Sequence, residues 1–230
     1  MRGEFLCAHM RYNNCMIELY ILNLKDRLNN PVNDYLHLFI PERRDKILRY
    51  KHLSDQNRTI WAEILARHVI AMKTNQNIES IRIMRDSNGR PYVSPEYNLE
   101  FSISHSGIYA ALSIGNHANG VDVERLSRAS HEISEHLFTH EEKMILEGLN
   151  DEEFAKKFLC YWTLKESYAK CTGIDLMNVI RNVNCENIPG KNFFIDDYVI
   201  GICGDDLPDV IREIKIPPAL LIPAGKNFLR

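Results

Sequence analysis

The sequence lacks most of the features that place a protein at once. Its 230 residues include six cysteines (Cys7, Cys15, Cys160, Cys171, Cys185 and Cys203) but no C-x-x-C pair. No His/Cys spacing has the form of a zinc site, so scattered cysteines read as reduced core residues of a cytosolic protein. No apolar run approaches the roughly 18 residues of a membrane span, and no basic segment leads into an apolar stretch at the N-terminus. An excess of positive charge is also missing. With 28 Lys and Arg against 31 Asp and Glu, the formal net charge is −3, which gives no global drive toward nucleic acid or membrane. Any basic patch must be local. No internal repeat is visible. What remains is a chain 45% hydrophobic and 26% charged, the composition of a soluble, cytoplasmic protein with a substantial core in one or two domains.

The patterning alternates between helix and strand. Residues 16–24 read as a first strand. Pro41 opens a basic helical stretch to about Lys51, with Glu42 in its first turn. A second helix is expected over about 54–73, capped by Ser54, with Ile60, Ile64, Leu65, Val69 and Met72 at helical period. Strands follow at 80–84 and 99–103 around the Asn88-Gly89 turn, then at 109–114 and 120–124 on either side of a polar break at 115–119. Thr139 and Glu142 make a capping-box pattern. A longer helix runs over about 151–171 and stops at Gly173. The tail from 179 to 216 offers three or four weak strands, including 193–195 and 198–203. The order suggests an α+β protein of two similar halves, residues 1–116 and 117–230.

Two carboxylate settings point to chemistry. Asp122 and Glu124 stand two apart in Gly120-Val-Asp-Val-Glu124, so a strand would project both from one face. Glu166 lies about forty residues on, in the helical Trp162-Thr-Leu-Lys-Glu166. Together they suit Mg²⁺, a hard cation that takes oxygen ligands and shares them with a substrate phosphate. Read singly, the pair also fits an acidic outward strand face, and Glu166 fits a surface i,i+4 pair with Lys170.

Four motifs occur in one order: Gly89-Arg-Pro91, Phe101-Ser-Ile-Ser-His-Ser-Gly107, Gly120-Val-Asp-Val-Glu124, and Trp162-Thr-Leu-Lys-Glu166 through Lys170. In order and spacing they resemble the 4′-phosphopantetheinyl transferases of the surfactin-synthetase-activating (Sfp) type, over roughly residues 41–173. The resemblance implies a monomeric pseudo-dimer of two α+β halves with the active site in the cleft between them. It implies transfer of the phosphopantetheine arm of coenzyme A, the co-substrate, to a serine of an apo carrier protein. Adenosine 3′,5′-bisphosphate is the other product. The carriers served by this type belong to peptide, polyketide and siderophore assembly lines.

The same resemblance distributes the residues. Asp122, Glu124 and Glu166 would hold Mg²⁺, with Mn²⁺ as a possible substitute. Glu166 would also take the proton of the carrier serine, for which His105 is a rival because its ordinary pKa lies near neutrality. Lys170 would offset charge on the phosphates. Arg43, Lys46 and Arg58 would hold the 3′-phosphate end of coenzyme A, with Thr59 nearby. His105 and Ser104 would contact the cofactor. Arg90 stands where the family commonly has lysine, keeping the charge but changing the shape. No role is assigned to Lys165. Phe138, Met144 and Phe158 are candidates for a carrier-protein face. Another coenzyme A-dependent transferase would need an acyl-accepting nucleophile or base in place of the acidic triad, and none is marked out; a non-catalytic binding module would be expected to lack a triad carboxylate or Lys170. All four residues are present.

Overall fold

The computed structural model describes residues 16–216, so the expectations for Cys7 and Cys15 lie outside the described residues. The first strand, β1 (Glu18–Asn23), leads through a short turn region to α1 (Pro41–Leu48) and α2 (Leu53–Thr74). Pro41 occupies the first turn of α1, as expected. The helix ends at Leu48 rather than at Lys51, because the Tyr50 N–H turns back to the Ile47 carbonyl and tightens the last turn. Ser54 is not the cap of α2. His52 holds that position, and its carbonyl accepts from the Asp55 and Gln56 N–H groups, which places Ser54 inside the first turn.

A two-stranded hairpin follows, β2 (Met84–Arg85) and β3 (Pro91–Tyr92). Its turn is closed by the Asp86 carboxylate, which accepts from the Asn88 and Arg90 N–H groups, and by Gly89 at φ +80°. The strand expected over 80–84 shrinks to this stub. The Ile81 carbonyl is taken by the buried Arg67 guanidinium instead of a strand partner. Next come β4 (Glu100–Ser106), β5 (Tyr109–Gly115) and β6 (Asn119–Arg125), with the polar break between the last two where the sequence places it.

The short helix α3 (His131–His136) precedes α4 (His140–Glu147), which carries the Thr139/Glu142 capping box. Helix α5 (Asp151–Thr172) starts at Asn150 and stops at Gly173, whose φ of +74° suits a left-handed C-cap. The tail opens with a helix, α6 (Leu176–Asn182), where weak strands were expected. The Asp175 carboxylate caps it by accepting from the Asn178 N–H. Strands β7 (Gly190–Ile195), β8 (Tyr198–Gly204) and β9 (Ile211–Glu213) complete the described residues.

The strands form a sheet ordered β4-β5-β1-β9, the β2-β3 hairpin, and a sheet ordered β6-β8-β7. Side-chain alternation then sets the layers. Tyr20 and Leu22 of β1, with Ala110, Leu112 and Ile114 of β5, pack beneath Trp61, Ile64 and Leu65 of α2. Leu19 and Ile21 point the other way, onto Val121, Val123, Ile200 and Ile202 of the second sheet. That sheet turns Val199 and Cys203 toward Phe158 and Leu164 of α5. The result is helix, sheet, sheet, helix. The tail crosses back, since β9 runs parallel to β1 and Ile216 enters the α2 core.

Helix α5 approaches its sheet very closely. A Cβ on Gly120 would sit 1.9 Å from the Ser167 carbonyl oxygen, and one on Gly201 would sit 2.4 Å from the Thr163 carbonyl carbon. Two glycines on neighbouring strands thus receive Thr163 and Ser167, four residues apart on the helix. Gly201→Ala is expected to push the helix off its seat and cost about 3 kcal/mol. Equilibrium urea denaturation checks this; a loss under about 0.5 kcal/mol would mean the helix moves aside freely.

Candidate active site

The close seat of α5 brings the sequence-distant carboxylates together. Asp122 and Glu124 share with Gly120 the β6 face that meets the helix, opposite the inward Val121 and Val123. Glu166 and Lys170 lie one helical turn apart beside Ser167. Lys170 Nζ donates to Asp122 Oδ1 at 2.7 Å and to the Val121 carbonyl at 3.1 Å, and it stands 3.6 Å from Glu166 Oε2.

The second contribution comes from β4, which lies alongside β6 at the meeting edge of the two sheets. Successive serines of Phe101-Ser-Ile-Ser-His-Ser stitch the two strands. Ser102 Oγ accepts from the Val121 N–H, Ser104 Oγ donates to Asp122 Oδ1 at 2.7 Å, and Ser106 Oγ donates to Glu124 Oε2 at 2.8 Å. Ser104, expected at the cofactor, therefore spends its hydroxyl proton on Asp122. Ser106 went unassigned from the sequence, yet the every-second-residue spacing of the three serines marks a strand face and was open to that reading.

The carboxylates are crowded with negative charge. Burial pushes Glu166 up to about 7; Asp122 adds to this, Lys170 opposes it and Glu124 adds further. Glu124 is also raised, by burial first and by Asp122 second. For Lys170, burial acts to lower its pKa, but Asp122 and Glu166 outweigh it and hold the ammonium above its ordinary range. Asp122 is 3% exposed, and its Oδ2 is buried without a hydrogen-bond partner. Three carboxylates thus face one ammonium, with an orphaned acceptor among them, and the exposed Arg128 stands 3.6 Å from Glu124. The donor set fits a hard divalent cation. Among the described residues no group of three His, Cys, Asp or Glu side chains is already arranged as a metal cage. The triad is no exception, because Lys170 bridges Asp122 and Glu166.

A cleft of about 740 Å³ opens beside this cluster, lined by Glu166 and Lys170 on one side and by Arg85, Arg90 and Gly89 of the hairpin on the other. Arg90 enters it paired with Glu100 at 3.0 Å. Arg58 donates to the Gly107 carbonyl and pairs with Asp55. Thr59 Oγ1 lies 3.5 Å from His105 Nε2. His105 keeps an open edge, but the surrounding protein first, then Arg58, Lys170 and Arg43, push its imidazole below the ordinary histidine range. At neutral pH it is uncharged, able to donate or accept one hydrogen bond. Arg43 makes its ion pair with Glu63, and Lys46 is exposed on α1.

Other expectations sort differently. Lys165, unassigned from the sequence, is fully buried and bonds Glu142 Oε2 at 2.5 Å and the Ile180 carbonyl at 2.8 Å, away from the cleft. Of the three candidates for a carrier-protein face, Phe138 and Phe158 are core residues, each 3% exposed and in edge-to-face contact with one another. Only Met144, 61% exposed, remains on the surface. Trp162 is half-buried and stacked on Phe158. Cys160, Cys171, Cys185 and Cys203 are free thiols, the last two buried.

Comparison with known proteins agrees with this geometry. Residues 118–209 match the 4′-phosphopantetheinyl transferase superfamily, and residues 30–116 match the N-terminal region of 4′-phosphopantetheinyl transferases. The ffp 4′-phosphopantetheinyl transferase of Bacillus subtilis is 30% identical over 68% of this chain and 70% of its own length. Sfp of Bacillus subtilis (strain 168) is 27% identical over 84% of this chain and 82% of its own, and gsp of Aneurinibacillus migulanus 28% over 79% and 72%. The chain belongs to the 4′-phosphopantetheinyl transferase family, and within it to the Sfp type. It is an enzyme of that class, which transfers phosphopantetheine to carrier proteins. Among the described residues no helix is long and apolar enough to cross a membrane.

Proposed function

We propose that this enzyme moves the 4′-phosphopantetheine arm of coenzyme A to a serine of apo peptidyl, aryl or acyl carrier domains, with release of adenosine 3′,5′-bisphosphate. The carriers belong to nonribosomal peptide, polyketide or siderophore synthesis. The reaction is Mg²⁺-dependent, and the enzyme acts as a cytoplasmic monomer. Residues 1–116 and 117–230 act as the two halves of a pseudo-dimer, with the cofactor held between them. One observation carries the reading: the upward-shifted Glu166 lines a cleft that also holds arginines, and Lys170 ties it to Asp122, whose Oδ2 is buried without a partner.

In this reading Asp122, Glu124 and Glu166 hold Mg²⁺, which when bound supplies positive charge to the pyrophosphate oxygens as the phosphodiester breaks. Ser104 and Ser106 each bond one oxygen of Asp122 and Glu124, which holds the two carboxylates in place and leaves their second oxygens unbonded to β4. Lys170 gives a second positive charge beside the phosphates and anchors to the Val121 carbonyl. Glu166, which lines the cleft, is the group that accepts the proton of the incoming serine hydroxyl. His105 and Thr59 present a neutral hydrogen-bonding pair to the cofactor, while Arg43, Lys46 and Arg58 supply the charge that binds its 3′-phosphate end and Arg90 contacts its adenine or ribose end.

Intact-protein mass spectrometry tests the proposal directly. An apo peptidyl carrier protein incubated with the enzyme, coenzyme A and Mg²⁺ is expected to gain one phosphopantetheine. EDTA should abolish the gain, as should replacement of the carrier's serine by alanine. No gain on either peptidyl or acyl carriers, despite measured coenzyme A binding, would overturn the proposal.

A further inference from the structure

Glu63 is the one carboxylate of α2 whose side chain is fully enclosed, at 4% exposure. A single oxygen of it, Oε1, receives two arginines from different elements. Arg43 of α1 reaches it at 2.5 Å, and Arg85 of β2 also at 2.5 Å. Arg85 carries the linkage on, since its other terminal nitrogen donates to the Gly89 carbonyl in the hairpin turn at 2.9 Å. Both Arg85 and Gly89 line the cleft. Helix α1, helix α2 and the β2-β3 hairpin are therefore tied through one buried atom.

A buried carboxylate with one arginine would be a closed, neutral pair. With two, one positive charge is left over, and it sits between α1 and the hairpin that lines the cleft. Without the carboxylate the two guanidinium groups would repel each other across a few ångströms and swing toward solvent. Long cationic side chains lose freedom when they bind an anion, and holding them beforehand removes that cost.

We infer that Glu63 is a positioning residue that pre-orders Arg43 and Arg85 for the 3′-phosphate of coenzyme A, and that Arg85 is a further cofactor-binding residue. The inference rests on the reading of Arg43 as a 3′-phosphate contact. Glu63 touches no substrate. It acts by keeping a charged fork in place on an anion that is far from the bond being broken, so its effect belongs to binding and not to the chemical step.

The test compares coenzyme A with dephospho-coenzyme A, which lacks only the 3′-phosphate, by titration calorimetry and steady-state kinetics. For Glu63→Gln, binding of coenzyme A is expected to weaken about tenfold, while binding of dephospho-coenzyme A changes less than about twofold. The loss should fall on KM for coenzyme A more than on kcat. Arg85→Ala removes a partly exposed side chain outside the core. It should show the same selective loss even if Glu63→Gln folds poorly. If the wild-type protein binds both cofactors equally, the 3′-phosphate reading fails and the inference with it. If the wild type discriminates and both variants keep that discrimination, the clamp alone is overturned. Equal weakening toward both cofactors would reduce Glu63 to a structural role and also overturn it.

Discussion

Glu166→Gln is expected to lower phosphopantetheine transfer by about 10³-fold or more, because one carboxylate is asked to do two tasks. It completes the oxygen cluster with Asp122 and Glu124, and of the three it is the one that lines the cleft, where a serine hydroxyl can meet it. Glutamine keeps the shape, cannot accept the proton, and removes one of the negative charges that call for a cation. Lys170, 3.6 Å away, would also lose part of the field that holds it protonated in place. The loss should appear in kcat, with coenzyme A affinity changed far less, because the arginine-lined wall is untouched. Single-turnover transfer followed by mass spectrometry reads the effect. Turnover within tenfold of the wild type would remove Glu166 from both roles.

The second large effect concerns stability. Lys165 and Glu142 form a buried ion pair at 2.5 Å that links α4 to α5. The network is complete: Glu142 also accepts from the Thr139 and Cys185 N–H groups, and Lys165 donates to the Ile180 carbonyl and sits over the Phe138 ring. Lys165→Met leaves an uncompensated carboxylate and an unpartnered carbonyl in the core. It should cost about 3–5 kcal/mol, which lowers Tm by roughly 10 °C for a chain of this size. A shift of less than roughly 2 °C would show that water reaches the pair.

The pH dependence of that stability has a definite sign. Burial acts to raise the Glu142 carboxyl, but the hydrogen bonds from Lys165, Thr139 and Cys185 outweigh it and hold the group below its ordinary value of 4.5. A depressed carboxyl adds stability in full above its unfolded pKa and loses it as pH falls through the folded value. The contribution should therefore be present at neutral pH and disappear only below about pH 4.5. In Lys165→Met that acid-side loss should flatten, since the main donor is gone.

Comparing these two lysines shows what a sequence can and cannot reveal. Lys165 and Lys170 occur in one helical segment, and periodicity separates only their faces. Lys170 is one turn from Glu166, so helical periodicity alone puts the two on one face. Lys165 acquires its meaning from Glu142, a residue whose capping role was legible in Thr139-His-Glu-Glu142 but whose ion pair needs α4 laid against α5. The same distinction explains Glu63. The sequence around Glu63 carries no sign of its role, because its two arginines come from α1 and from the hairpin.

By itself the sequence determined what depends on neighbours along the chain. The alternation of 120–124 placed Asp122 and Glu124 on one strand face, the turn chemistry around Gly89 closed the hairpin, and Asn150 and Gly173 bounded the long helix. It also carried four motifs in the order and spacing of one family. Tertiary structure decided everything that required two distant segments to meet. Gly120 and Gly201 let α5 come close enough for Glu166 and Lys170 to face Asp122, and the edge of β4 lent Ser104 and Ser106 to the carboxylates of β6. The reason is physical: propensity and period are local quantities, whereas the charge state and orientation of a buried carboxylate are set by whatever the folded chain packs around it.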